Sequence, residues 1–298
     1  MDRKDLILKH IDKNMVGIEI GPSYNPTCPK RDGWKVYTVD HAERDELIRK
    51  YEELPGVSQI EEVDFVWRKG SLATLVKEGG IGQVDFIIAS HVIEHTPCLV
   101  SFLQSLKELL NEGGIISLAV PDKRREMDFF KPLSTTADAV EAYQQKRARH
   151  TVRTGFLKYF YNCLHNGANT WGIPADIRGI TLTHDFDKAL DLFNQCDFSE
   201  SSLYTDCHAW FFVPASFELI LLELNRLGLT KLIPYDIYGP IGCEFYVYLK
   251  HGVNSLSLDS FSKKRIDLLR KIHSELNEPR NNIIKSLISK VKNCFSVL

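Results

Sequence analysis

Short apolar runs that alternate with helical stretches set the architecture of this chain. "VGIEIG" (16–21), "WKVYTVD" (34–40), "VDFIIAS" (84–90) and "GIISLAVP" (114–121) are each of strand length, and "EEVDFVW" (61–67) is a further candidate. Between the last two of the four lies "LVSFLQSLKELLNEGG" (99–114), whose apolar residues recur at helical spacing and which closes on Gly113-Gly114. Apolar strands separated by helices argue for a parallel sheet covered on both faces. Right-handed crossovers make it doubly wound, so the expected fold is α/β.

The rhythm breaks after Pro121. Residues 124–208 mix charges, aromatics and histidines without βαβ alternation, which reads as a lid-like insertion over the carboxyl edge of the sheet. "PASFELILLELNRLGL" (214–229) returns to helical spacing, and "GCEFYVYLKHG" (242–252) reads as a late strand. The expected division is a cofactor-binding core at 1–123, an inserted acceptor-side segment at 124–208, completion of the core at 209–252, and a helical tail at 253–298. In the tail, Ile283, Ile284, Leu287, Ile288 and Val291 share one broad side, with Lys285 and Lys292 elsewhere. Such a face suits a second copy of the chain or the surface of a membrane.

Composition narrows the function classes. The 298 residues carry a net charge of −2, which gives no whole-protein attraction to nucleic acid or anionic lipid. The first fifteen residues are charged throughout, unlike a secretory signal, and no apolar run reaches the length of a membrane span. Seven scattered cysteines form no C-x-x-C pair, so reduced thiols in the cytoplasm are expected, with the inner face of the membrane a second location through the tail.

In an open α/β sheet, ligands bind at the carboxyl ends of the strands. The residues there are Glu19 before Gly21, Asp40 after the second strand, Asp64 near the third, and Ser90-His91 after the fourth. Glu19 would repel a pyrophosphate, and Pro22, Ser23 and Tyr24 do not give the close backbone approach that a dinucleotide needs. A ligand with an ammonium and a sulfonium would be attracted instead. Asp40 stands about twenty residues beyond Gly21, the spacing at which an acid meets ribose hydroxyls. Asp64 and Phe65 could flank an adenine, although Glu61 and Glu62 compete for that place and a slip of one residue reverses the face. Adenosine with a cationic amino-acid tail describes S-adenosylmethionine.

At these positions the sequence resembles class I S-adenosylmethionine-dependent methyltransferases. Glu19 and Gly21 match the start of the family's E/D-x-G-x-G-x-G motif, with Ser23 and Asn25 in place of the later glycines. Asn25 is a tolerable substitute because Asn enters the left-handed region readily. Asp40, Asp64, "VDFIIASHVIEHTP" (84–97) and "LKELLNEGGIISLAVPD" (106–122) match the remaining motifs in register. The resemblance implies a Rossmann-like methyltransferase fold and a cofactor set of Glu19, Gly21, Pro22, Ser23, Asn25, Asp40, His41, Asp64, Phe65, Ser90 and His91. "EIGPSYNPTCPKRDGW", "ASHVIEHTP", "LAVPDKR" and "DCHAWFFVPASF" further resemble methyltransferases associated with bacterial surface-glycan gene clusters, which implies a sugar or glycan hydroxyl as acceptor. A natural-product O- or N-methyltransferase and a non-catalytic cofactor-binding scaffold are the alternatives.

Methyl transfer to an alcohol needs a group that takes the hydroxyl proton, and His is the commonest choice. His95, just past the fourth strand, is the first candidate, with helix buttressing as its competing role. Asp122, His150 and His184 are the others. "DCHAW" (206–210) read as a strand puts Asp206, His208 and Trp210 on one face. Lys123, Arg124 and Arg125 suit a phosphate or sugar acid, or a solvated loop equally. No metal is expected: Asp122 would need partners such as His150 or His184, and no spacing rule shows them.

Overall fold

The computed structural model describes residues 2–172, 175–199 and 204–277. The apolar tail positions from Ile283 to Val291 therefore lie outside the described residues. The chain begins with α1 (Arg3–Ile7), β1 (Val16–Ile20), β2 (Lys35–Asp40), α2 (Arg44–Lys50), β3 (Phe65–Val66) and α3 (Leu72–Glu78). It continues through β4 (Val84–Ser90), α4 (Leu99–Leu109) and β5 (Leu110–Pro121). The inserted segment carries α5 (Thr136–Gln144), α6 (Val152–Tyr161), β6 (Cys163–His165), β7 (Ile180–Leu182) and α7 (Phe186–Asn194). After it come α8 (Pro214–Arg226), β8 (Leu232–Ile241), β9 (Glu244–His251) and α9 (Leu258–Leu276).

Seven strands form one sheet in the order β3-β2-β1-β4-β5-β9-β8. The first five are parallel, whereas β9 runs antiparallel to β5, and β8 to β9. The order reverses between β1 and β4, so the loops after these two strands border the crevice in which a doubly wound sheet takes its ligand. Both faces of the sheet are covered. Along β4, Ile87 and Ala89 face the larger core with α3, α4 and α8, while Phe86 and Ile88 face Leu6 and Ile7 of α1. This is why β4 reads as an unbroken apolar run. At Gly17 of β1 a methyl group would sit 2.2 Å from the Phe86 ring, so only glycine lets β1 and that ring pack.

Several elements differ from the reading of the sequence. "EEVDFVW" contributes only Phe65 and Val66 to the sheet. α4 ends at Leu109 rather than at the glycine pair, because Leu110 already pairs with Val84. "DCHAW" is extended but joins no strand; the nearest sheet-like contact is one bridge between Asp122 and Phe212. β8 was not anticipated, since Pro234, Gly239 and Pro240 interrupt its pattern, as is tolerated on an edge strand. No helix among the described residues is long and apolar enough to cross a membrane.

Candidate active site

The loop after β1 is built around Glu19 and Gly21. Glu19 is buried, and its two carboxylate oxygens accept from the backbone N–H groups of Thr27 (2.7 Å) and Cys28 (3.0 Å). It therefore clamps residues 21–29 over the sheet. Gly21 has φ +66°, and a Cβ there would stand 2.9 Å from Val92 Cγ2, so the turn needs glycine twice over. Asp40, at the end of β2, accepts from the Ser23 N–H at 3.1 Å through Oδ2. Its Oδ1 meets the backbone N–H of His41 at 2.7 Å and the ring Nδ1 at 2.6 Å. Glu19, Pro22, Ser23, Thr38 and Asp40 border a narrow cleft that is partly open to solvent.

Past β4, Ser90 and His91 meet the amino-terminal helix. Arg3 donates to Ser90 Oγ at 2.6 Å and to both Glu244 oxygens, at 2.7 and 3.0 Å. His91, with φ +52°, places Nε2 2.7 Å from Glu244 Oε2. Burial works to raise the Glu244 pKa, but the hydrogen bonds of His91 and Arg3 outweigh it and bring it down to about 2.

The next turn, Ile93–His95, opens on a polar cluster that is buried at His150 and His208 and exposed at Asp206 and Tyr204. His95 Nδ1 pairs with Asp206 Oδ1 at 2.8 Å. Burial opposes the charged imidazolium, but the bond to Asp206 and the charges of Glu94, Asp206 and Asp128 raise the His95 pKa. His150 Nε2 meets the Tyr204 hydroxyl at 2.8 Å and lies 3.9 Å from Asp206. Burial takes its pKa down to about 4, so this ring is neutral. His208 Nδ1 pairs with Asp128 Oδ2 at 2.6 Å, and Lys131 also bonds Asp128. The backbone explains the assembly: Ala209 N–H donates to Glu94 O at 2.7 Å and Trp210 Nε1 to Thr96 O at 2.6 Å, which lays residues 206–210 along the turn after β4.

Some expected site residues point elsewhere. Asn25 is exposed and does not take the left-handed conformation; Ser23 does, with φ +48°. The Asp64 carboxylate accepts from Thr38 N–H at 2.7 Å and from Lys30, so it braces β2. Phe65 packs on Tyr37, and the cleft is bordered instead by Ile60, Glu61 and Val63, the slip of face that a two-residue strand permits. Asp122 is fully buried and held by the Arg124 guanidinium through both oxygens, which leaves it no open side toward an acceptor. Lys123 and Arg125 donate to the carbonyls of Phe129 and Gly172, so neither is a free anion contact. His184 makes no contact with the cluster: its neighbour Asp185 caps α7 through Lys188 N–H instead of orienting the ring. Asp128 and Tyr204 were not singled out by the sequence, because their partners His208 and His150 lie 80 and 54 residues away and leave no local spacing.

The chemistry of the cleft's lining suits the adenosine of S-adenosylmethionine. Ser23 Oγ is buried with no hydrogen-bond partner among the described residues, at the turn where Gly21 brings the backbone close. Asp40 stands at the end of β2, the place from which an acid meets ribose hydroxyls in sheets of this kind. Ser90 stands past β4 on the other side of the strand-order reversal, with its hydroxyl bonded to Arg3.

A methyltransferase domain family model matches residues 1–161, more than half of the chain. No curated protein matches it in sequence. Among solved structures it is similar to the CcbJ methyltransferase from Streptomyces caelestis, at 10% identity and TM-score 0.39 over 85% of this chain and 97% of that one. A second is an S-adenosylmethionine-dependent methyltransferase from Clostridium acetobutylicum, at 12% and 0.41 over 85% and 93%. A third is the ribosomal protein L11 methylase from Lactobacillus delbrueckii subsp. bulgaricus, at 12% and 0.35 over 83% and 74%. The family match, on a sheet of this order with this cleft, makes the chain a member of the methyltransferase domain family and an enzyme whose cofactor is S-adenosylmethionine.

Proposed function

We propose that the protein transfers a methyl group to a hydroxyl oxygen, with a sugar or glycan as the acceptor. The observation that carries this reading is the His95–Asp206 pair just past β4, where an acceptor would approach the crevice. S-adenosylmethionine supplies an electrophilic methyl on a sulfonium and leaves as S-adenosylhomocysteine. Asp40 orients the ribose, and the Glu19-clamped loop covers the adenosine. Arg3 and Ser90 hold the methionine carboxylate and so fix the direction in which the methyl points.

His95 activates the hydroxyl. Asp206 holds its Nδ1, which leaves Nε2 as the nitrogen presented to the acceptor. His150 and Tyr204 brace Asp206 from behind. The acceptor oxygen forms its bond to carbon as the carbon–sulfur bond breaks; sulfur keeps the bonding pair, and the hydroxyl proton departs on the His95 side. The sugar assignment draws on the resemblance of "ASHVIEHTP" and "DCHAWFFVPASF" to glycan-cluster methyltransferases.

Incubation with labelled S-adenosylmethionine and panels of sugars, phenols and amines tests the acceptor class. Label on a sugar hydroxyl is expected; label on amines alone would overturn the reading. His95→Gln should lower turnover about 10²-fold or more with cofactor affinity nearly intact. Full turnover in that variant would remove His95 from the reaction.

A further inference from the structure

Glu94 is the least explained charged residue of the molecule. Its side chain is fully buried, and neither carboxylate oxygen has a hydrogen-bond partner among the described residues. Burying an unpaired carboxylate is costly, and such a group normally holds a counter-ion or a donor. His91 Nδ1 at 3.5 Å and His95 Nε2 at 3.8 Å flank it at ion-pair distance without a hydrogen bond. One donor atom each from Glu94, His95 and His208 lies within 4.8 Å of the others.

The two histidines are already set for ligation. Asp206 holds His95 by Nδ1 and Asp128 holds His208 by Nδ1, at 2.8 and 2.6 Å, so each ring keeps Nε2 for another partner. A carboxylate behind each imidazole is the arrangement that orients metal-binding histidines. Asp128 itself is committed to Lys131 and His208, which makes it a brace. His95, about one-third exposed, leaves the group open on the acceptor side.

We infer that Glu94, His95 and His208 bind one divalent transition-metal ion, whose open positions take the acceptor oxygen. Two imidazoles and one carboxylate favour a first-row ion over magnesium or calcium, which prefer all-oxygen sites. Ligand bonds of about 2.0–2.2 Å would draw the three donors inward by up to about an ångström. This inference rests on the hydroxyl-acceptor reading for its role and replaces direct proton removal by His95 Nε2, here a ligand, with activation through the ion. On the ion, the acceptor hydroxyl releases its proton to water more readily. The oxygen pair then forms the bond to carbon, and the sulfur pair stays on sulfur.

The test is titration of the chelator-treated full-length protein with Co²⁺, followed by calorimetry and visible absorption. One saturable site per chain is expected, with nitrogen and oxygen ligation and no thiolate charge-transfer band. Glu94→Gln and His208→Ala should weaken Co²⁺ binding at least tenfold. Asp206→Asn, at the exposed rim, should weaken it about 10–100-fold with the fold intact by circular dichroism. Absence of saturable binding, or affinity unchanged in both Glu94→Gln and Asp206→Asn, overturns the site. Full methylation of a hydroxyl by ion-free protein would overturn the inference and leave the acceptor reading standing. Co²⁺ bound as described with no hydroxyl methylated would uphold the site and sink that reading.

Discussion

Glu244 shows how one residue joins the antiparallel part of the sheet to the turn after β4. It sits at the start of β9 and accepts from Arg3 of α1, His91 after β4 and the Tyr246 hydroxyl. Because its folded pKa is about 2 and its ordinary value 4.5, it binds fewer protons folded than unfolded over that interval. Its contribution, about 3 kcal/mol, is therefore complete above pH ~4.5 and is lost as the pH falls toward 2. Urea unfolding of the wild type and Glu244→Gln should give a stability difference that narrows from pH 5 to pH 2.5. A difference that stays constant would mean the carboxylate charge is not what stabilises the wild type. At this scale the sequence was legible where a motif is local: Gly21 takes the positive-φ turn after β1, and Asp40 ends β2 at the cleft. It was not legible where a side chain's direction depends on distant partners. Asp122 is turned away by Arg124, and Glu94 and His208 meet only because residues 206–210 cross the turn after β4.

Among the elements, the β1–β4 pair carries the most weight, since the strand order reverses there and the loops after both strands rise from it. Gly17 lies against Phe86 across this pair, and a Cβ at 2.2 Å from a fully buried ring cannot be absorbed by a rotamer change alone. Gly17→Ala should cost about 1–3 kcal/mol by urea unfolding, with part of the loss recovered by adding Phe86→Leu. A loss under about 0.5 kcal/mol, the range of surface substitutions, would show that the ring moves freely. β1, β2, β4 and β5 were plain in the sequence because strands buried on both faces are apolar throughout. β8 was not, since it is an antiparallel edge strand with prolines, and β3 shrank to two residues, which moved Asp64 off the cleft.

The whole molecule is a seven-stranded sheet whose ligand edge faces the inserted segment. That segment sends His150 and Tyr204 toward His95 and keeps its own small sheet of β6 and β7 apart from the main one. The internal fold of residues 124–208 was not legible, because α6 packs on α7 while α5 packs on α4 and α8, contacts that leave no simple period. The central claim is that the crevice at the β1/β4 switch holds S-adenosylmethionine through Asp40. Calorimetric titration of S-adenosylhomocysteine, with NAD as the comparison, tests it most directly. The adenosyl ligand should bind more tightly than NAD, and Asp40→Ala should weaken it by about 10–100-fold, as befits lost hydrogen bonds to a charged acceptor. Asp40→Asn, which keeps an oxygen for Ser23, should fall between. Unchanged affinity in Asp40→Ala, or tighter binding of NAD, would contradict the account.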